Sequence, residues 1–349
     1  MKSPSQGFGR FALIGAAALL GVCAWSIPTL SNGQTMAERL GYPEGRAVVL
    51  LETVDVGFCP EGNLAAEAAL KCGAVTSAAV LPNAPWFEDF ARRLRAQPDA
   101  DVGVNVSLMN PFAGLRWRPL TAAESTSLTD RDGYCPKTLT QFLSMATAED
   151  VGREIDAQIA HARKHGVEPT HLSAHHGSVY GRPDLLKELL DASRRHWIPA
   201  VLVDLSPERL ARFQAEGVPL DDRMTALIAS YTLPTLDELV FAPRADSYEA
   251  KKAATIETIG KLPAGLTLFS FHPAQVSHAM DEALGEEWRQ RVWEARLLGD
   301  ADVRDAFAEK GALFTTWREV MRRYDGQFER QAEIEEASAI EPENAVEGE

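Results

Sequence analysis

From residue 47 onward the chain alternates short apolar runs with amphipathic stretches, and no other feature constrains its fold so tightly. The apolar runs are Ala47–Glu52, Thr76–Leu81, Val102–Val106, Thr170–Ala174, Ala200–Asp204, Ala226–Ser230, Leu266–Phe271 and Ala312–Thr315. Several are β-branched and bounded by Gly or Pro, as strands are. Between them, Asn63–Lys71, Pro85–Ala96, Glu149–His165, Pro183–Arg195, Ser247–Lys261 and Trp288–Leu298 place apolar residues at three- and four-residue spacing, the period of a helix packed on one face. Gly166 and Gly311 stand where helices stop, Pro183 and Ser247 near where they start. Eight such repeats over roughly 280 residues predict an α/β fold, a single-domain TIM-like (β/α) barrel, in preference to an open sheet. One irregular segment, Ser107–Ala148, makes a long loop after the third strand. Loops of that length in compact domains are usually functional. This one carries Arg116, Trp117, Arg118 and Tyr134 and is expected to form one wall of a substrate cleft.

The barrel is predicted over residues 34–325, with a different kind of segment at each end. Lys2 and Arg10 precede an uncharged run, Phe11–Leu30, followed by small residues. This pattern predicts a secretory signal over residues 1–33, or a membrane anchor if the run is kept. The protein is therefore expected to be exported, periplasmic or held at the membrane by this segment alone. Residues 326–349 are predicted to be a disordered acidic tail, since Gln331–Glu349 holds seven Glu and no Lys or Arg. The whole chain carries a net charge of −15, which disfavours nucleic acid as a partner. Outside the leader lie Cys59, Cys72 and Cys135. A Cys59–Cys72 bridge and three free thiols are both compatible with that count. The sequence leaves the oligomeric state open.

In a β/α barrel, chemistry sits at the C-terminal ends of the strands. There the chain places Asp55 after the first strand, Asn105 in the third, His171, His175 and His176 around the fourth, and His272 after a late strand. Five of the eight histidines fall within 171–176 and 272–278. Histidine with aspartate suits zinc or another first-row divalent ion. His171 reads as a hydrogen-bonded structural imidazole. Trp86, Trp117, Arg116 and Tyr180 are expected to contact substrate.

At these residues the chain resembles the YdjC-like carbohydrate deacetylases, over about residues 47 to 323. The family's Ala-Asp-Asp-x-Gly is similar to Thr53-Val54-Asp55-Val56-Gly57, and its Gly-x-His-Leu to Gly103-Val104-Asn105-Val106. Its Thr-His-x-Asp-Ser-His resembles Thr170-His171-Leu172-Ser173-Ala174-His175, and its His-Pro-Gly resembles His272-Pro273-Ala274. The resemblance implies metal-dependent hydrolysis of an N-acetyl group on a sugar or glycan. It implies a divalent metal, zinc or magnesium, on Asp55, Asn105 and His175, with His272 protonating the leaving amine. The family's base falls on Val54, which accepts no proton, and Asn105 replaces an imidazole ligand. Glu52, of the same strand parity as Val54, is the expected replacement base, and His176 the expected replacement ligand. The alternative is a catalytically inactive barrel that binds a glycan or a protein partner.

Overall fold

A computed structural model of the chain describes residues 33–112, 114–215 and 221–327. The leader and nearly all of the acidic tail lie outside the described residues. Among the described residues there are seven strands: β1 (Ala47–Val56), β2 (Ser77–Val80), β3 (Val102–Val106), β4 (Leu172–Ala174), β5 (Glu238–Phe241), β6 (Gly265–Phe271) and β7 (Leu313–Phe314). They form one parallel sheet of order β4-β3-β2-β1-β6-β5, with β7 paired to the start of β1. Isolated parallel bridges from Leu172 to Ala200 and from Val203 to Leu236 carry the pairing on from β4 to the residues just before β5. The two edges of the sheet thus approach each other, and the architecture is barrel-like.

Helices flank the sheet: α1 (Met36–Arg39), α2 (Pro60–Lys71), α3 (Phe87–Leu94), α4 (Leu139–Met145), α5 (Ala148–Lys164) and α6 (Pro183–His196). After them come α7 (Pro207–Ala215), α8 (Asp222–Ala229), α9 (Tyr248–Gly260), α10 (His278–Leu284), α11 (Glu286–Leu298), α12 (Ala301–Lys310) and a final helix at 317–327. Their ends follow local chemistry. Pro183 occupies the first turn of α6, where a missing N–H costs nothing. The Ser247 hydroxyl caps α9 by accepting from the Ala250 N–H, and Gly311 ends α12 in the left-handed region.

Alternation along the strands separates two packing layers. Val48, Leu50, Leu266 and Leu268 face inward with Val201, Val203, Leu236 and Trp317. Val49, Leu51, Phe269 and Phe271 face outward against Ile259, Leu262, Leu297 and Phe307. Full burial of each such side chain contributes about 1.5–3 kcal/mol.

One expectation is corrected here, and one open alternative is resolved. Ala226–Ser230 is no strand: it forms the end of α8, with Asp221 capping the start and Met224 and Ile228, one turn apart, turned to the core. The strand in that region is β5, farther along the chain. Cys59 and Cys72 are free, as is Cys135. They stand at opposite ends of the 12-residue α2, about 18 Å of helix apart, far beyond disulfide reach.

Candidate active site

The strand that carries Asp55 breaks its own alternation. β1 pairs Glu52 with Ser77 and Thr53 with Ala78, but Val56 with Val80, so one extra residue is bulged out between Thr53 and Val56. Asp55, at φ 58°, sits in this bulge. Bulges re-aim side chains, and this one swings the Asp55 carboxylate over the top of the barrel. The parity linking Glu52 to Val54 ends at the same place. Beyond it, Gly57 lets the chain pass within van der Waals limits of Phe87, where an added Cβ would lie 3.2 Å from the Phe87 Cα.

Asp55 is buried among polar partners. Arg291 of α11 donates from Nη2 to its Oδ2 at 2.7 Å, and Asn105 of β3 donates from Nδ2 to its Oδ1 at 3.3 Å. His175 brings Nε2 to 3.4 Å from the same Oδ1. Burial alone would raise the Asp55 carboxyl. The fields of His175, Arg291, His272 and His176 overcome that and hold it well below the usual carboxylate range. These four side chains and Asn105 therefore gather around one carboxylate. The Arg291 guanidinium lies over the rings of Phe58 and Phe112, at 5.0 and 5.2 Å, which fixes its plane.

The tautomer of His175 follows from its other nitrogen. Nδ1 lies 3.2 Å from the Met109 carbonyl, which only accepts, so Nδ1 carries the proton and Nε2 presents a lone pair. Burial, then the neighbouring His176, push this imidazole down to about 3, so it stays neutral at ordinary pH. Its buried Nε2 has no hydrogen-bond partner. Two acceptors, Nε2 and the Asp55 oxygen, thus face each other at 3.4 Å. A cation at that point would satisfy both, and an imidazole oriented by a backbone carbonyl is how metal-ligating histidines are held. The donor set fits a divalent ion, with Asn105 able to turn its amide oxygen to the same point.

His272 follows β6. Its backbone N–H donates to Glu294 Oε2 at 2.5 Å, its Nδ1 lies 3.5 Å from the same oxygen, and its ring stacks on Phe241. Glu294 is buried and bonded to Lys251 at 2.8 Å. Burial works against its charge, but His272 and Lys251 pull the carboxyl down to about 2. His176, in the left-handed region at φ 53°, is exposed beside His175, their rings 4.4 Å apart.

The other expected residues divide. Trp117 is buried 6.2 Å from the His175 ring, with Phe112 beside it, and lines the site. Trp86 is 44% exposed next to Gly57, whose carbonyl accepts its N–H. Arg116 is tied to Asp130 and Asp132 and lies over the Tyr134 ring. The Tyr180 hydroxyl donates to the Val201 carbonyl at 2.5 Å. Both are engaged in scaffold contacts. Glu52 does not join the cluster. It lies 1% exposed inside the barrel, its Oε1 2.6 Å from His171 Nε2. The His171 ring stacks on Trp317 and lies against Gly103, where any Cβ would fall 2.5 Å from it. Sequence reasoning missed Arg291 and Glu294. Their signal is spacing: Trp288, Arg291, Glu294 and Leu297 share one buried stripe of α11.

Fold and site together define an α/β barrel-like protein with a carboxylate–imidazole centre at the strand ends. The family model described as "YdjC-like protein" matches residues 48–309, and the chain belongs to that family. A carbohydrate deacetylase of Thermus thermophilus is 33% identical over 294 residues, covering 82% of this chain and 97% of the relative. A carbohydrate deacetylase of Geobacillus stearothermophilus is 28% identical, covering 76% and 94%. The crystal structure of a proposed cellobiose-phosphate cleavage protein from Enterococcus faecalis superposes with a TM-score of 0.63 at 22% identity, covering 79% of this chain and 99% of that one. Among the described residues, no helix is long and apolar enough to cross a membrane.

Proposed function

We propose that this chain is a metal-dependent carbohydrate deacetylase with a rearranged site, exported behind its N-terminal segment. A divalent ion, zinc or magnesium, would be held by Asp55, His175 and Asn105, with exposed His176 as a further imidazole in reach of an incoming ligand. The observation that carries this reading is the buried, unpartnered Nε2 of His175 facing the Asp55 carboxylate at 3.4 Å. Such an ion polarises the acetyl carbonyl and makes water nucleophilic near neutral pH. The remaining work falls to the chain. Val54 accepts no proton, and Glu52 is closed on His171, so Glu52 serves as a positioning partner in this reading. His272, oriented through Nδ1 by Glu294, takes the proton from the attacking water and returns it to the leaving amine nitrogen. Phe241, 52% exposed and stacked on His272, joins Trp86 as surface for the faces of an N-acetylated sugar, with Trp117 buried behind the site.

One observation favours a second reading, binding without turnover. Arg291 already neutralises Asp55 at 2.7 Å. Metal analysis of the purified chain, combined with acetate release from N-acetylglucosamine oligomers, separates the two. Bound metal with acetate release supports the deacetylase. Retained glycan binding with neither metal nor acetate establishes the binding barrel in its place.

A further inference from the structure

A second cluster of metal-type donors stands on the outer helical layer, on residues the rim centre does not use. Glu88 lies in the first turn of α3, and His161 in the last turn of α5, with His165 as that helix's C-cap residue. His161 and His165 are four residues apart, so they share one helix face. One donor atom from each of the three residues lies within 4.8 Å of the others. The imidazole rings are 4.5 Å apart, and His165 Nε2 is 3.8 Å from Glu88 Oε1.

Two further features set this group apart from an ordinary surface patch. The Phe87 ring, 1% exposed and fixed in the core, lies beneath both imidazoles at 5.4 and 5.8 Å, so it restricts how either can turn. The His161 ring makes no hydrogen bond or ion pair among the described residues. His196, on the same side of the fold, shows the usual alternative: its ring is bonded to Asp156 at 2.9 Å and to Arg163 at 3.0 Å. The position also suits a cation, since the C-terminal end of a helix carries partial negative charge.

We propose that Glu88, His161 and His165 form a second divalent-metal site, for a zinc-class first-row ion, that clamps α3 to the end of α5. Two imidazoles and one carboxylate are the donors such ions prefer over magnesium or calcium. Three protein ligands leave a fourth position for water or for a ligand from solution.

The test titrates Zn2+ into the full chain, freed of metal by a chelator, in competition with a chromophoric chelator. His175→Gln serves as the background, because it removes a donor from the rim centre and leaves this cluster intact. The expected result is one remaining equivalent of Zn2+. Adding His161→Gln weakens that equivalent by more than about 10-fold, since even the loss of an outer partner of a metal ligand costs about 10- to 100-fold. Co2+ gives the visible absorption of a low-coordinate ion in the His175→Gln chain and loses it with His161→Gln. Glu88→Gln, at an exposed position, weakens binding without disturbing the fold and keeps the test decisive should the histidine variant misfold. A His175→Gln chain that binds no Zn2+ overturns the proposal, as does an equivalent untouched by His161→Gln and Glu88→Gln. Failure of the deacetylase reading leaves this result unaffected, because no readout depends on turnover.

Discussion

Two buried carboxylate–imidazole pairs sit one above the other in this barrel, and they are built to opposite ends. In the lower pair, Glu52 and His171 stand 2.6 Å apart, close enough to share a proton. Thr170 donates to Asp101 at 2.6 Å and contacts His171 Nδ1 at 3.1 Å, so the far side of the ring is also engaged. In the upper pair, Asp55 and His175 stand 3.4 Å apart with the imidazole lone pair turned to the carboxylate. The first pair is held in close contact inside the barrel, with neither Glu52 Oε1 nor His171 Nε2 in aligned hydrogen-bond geometry. The second leaves the His175 lone pair unpaired beside a carboxylate whose charge Arg291 already balances. Chemistry at this site therefore follows from what is left unpaired, more than from residue type.

The largest effect is expected at the upper pair. Asp55→Asn should strip the divalent ion, reduce acetate release to background, and cost about 3–5 kcal/mol because Arg291 loses its buried partner. Metal analysis and denaturant unfolding check both parts. Val54→Asp restores a carboxylate beside Asp55 and should raise acetate release by about 10²-fold or more, the usual worth of a general base. An unchanged rate would show that the bulge points position 54 away from the reacting centre. In the lower pair, Glu52→Gln should cost about 1–3 kcal/mol of stability while the rate per folded molecule stays the same. A loss of turnover without a loss of stability would return Glu52 to the role of base. The smallest effect concerns Glu294, whose carboxyl is depressed from 4.5 to about 2 in the fold. Its folded form binds fewer protons than its unfolded form in that window, so its contribution is present above about 4.5 and lost as pH falls toward 2. Melting temperature followed through that range should decline, and should decline less in Glu294→Gln.

Much of the barrel was legible in the sequence, because inward and outward faces impose period two on strands. Val102–Val106 was read to the residue, and Leu266–Phe271 to within one. Where the pattern failed, local chemistry explains the failure. Ala226–Ser230 is uniformly apolar or small and carries no period, so only the Asp221 cap could have marked it as helical. β5 hides behind Glu238 and the exposed Phe241, which make it read as surface. At the site, Asp55, Asn105, His175 and His272 were legible because strand ends are predictable places. Arg291 was not, because it arrives 236 residues later on a helix, where charge ordinarily marks the solvated side. Nor was the bulge in β1, which no residue preference announces.

The left-handed turn at Asp55 acts as a filter on what can ever replace it. Branched and bulky side chains are poorly tolerated at φ 58°, whereas aspartate and asparagine are comfortable there. Change at this position is thus steered by the backbone toward few residues, and among them asparagine deletes the charge while it keeps the shape.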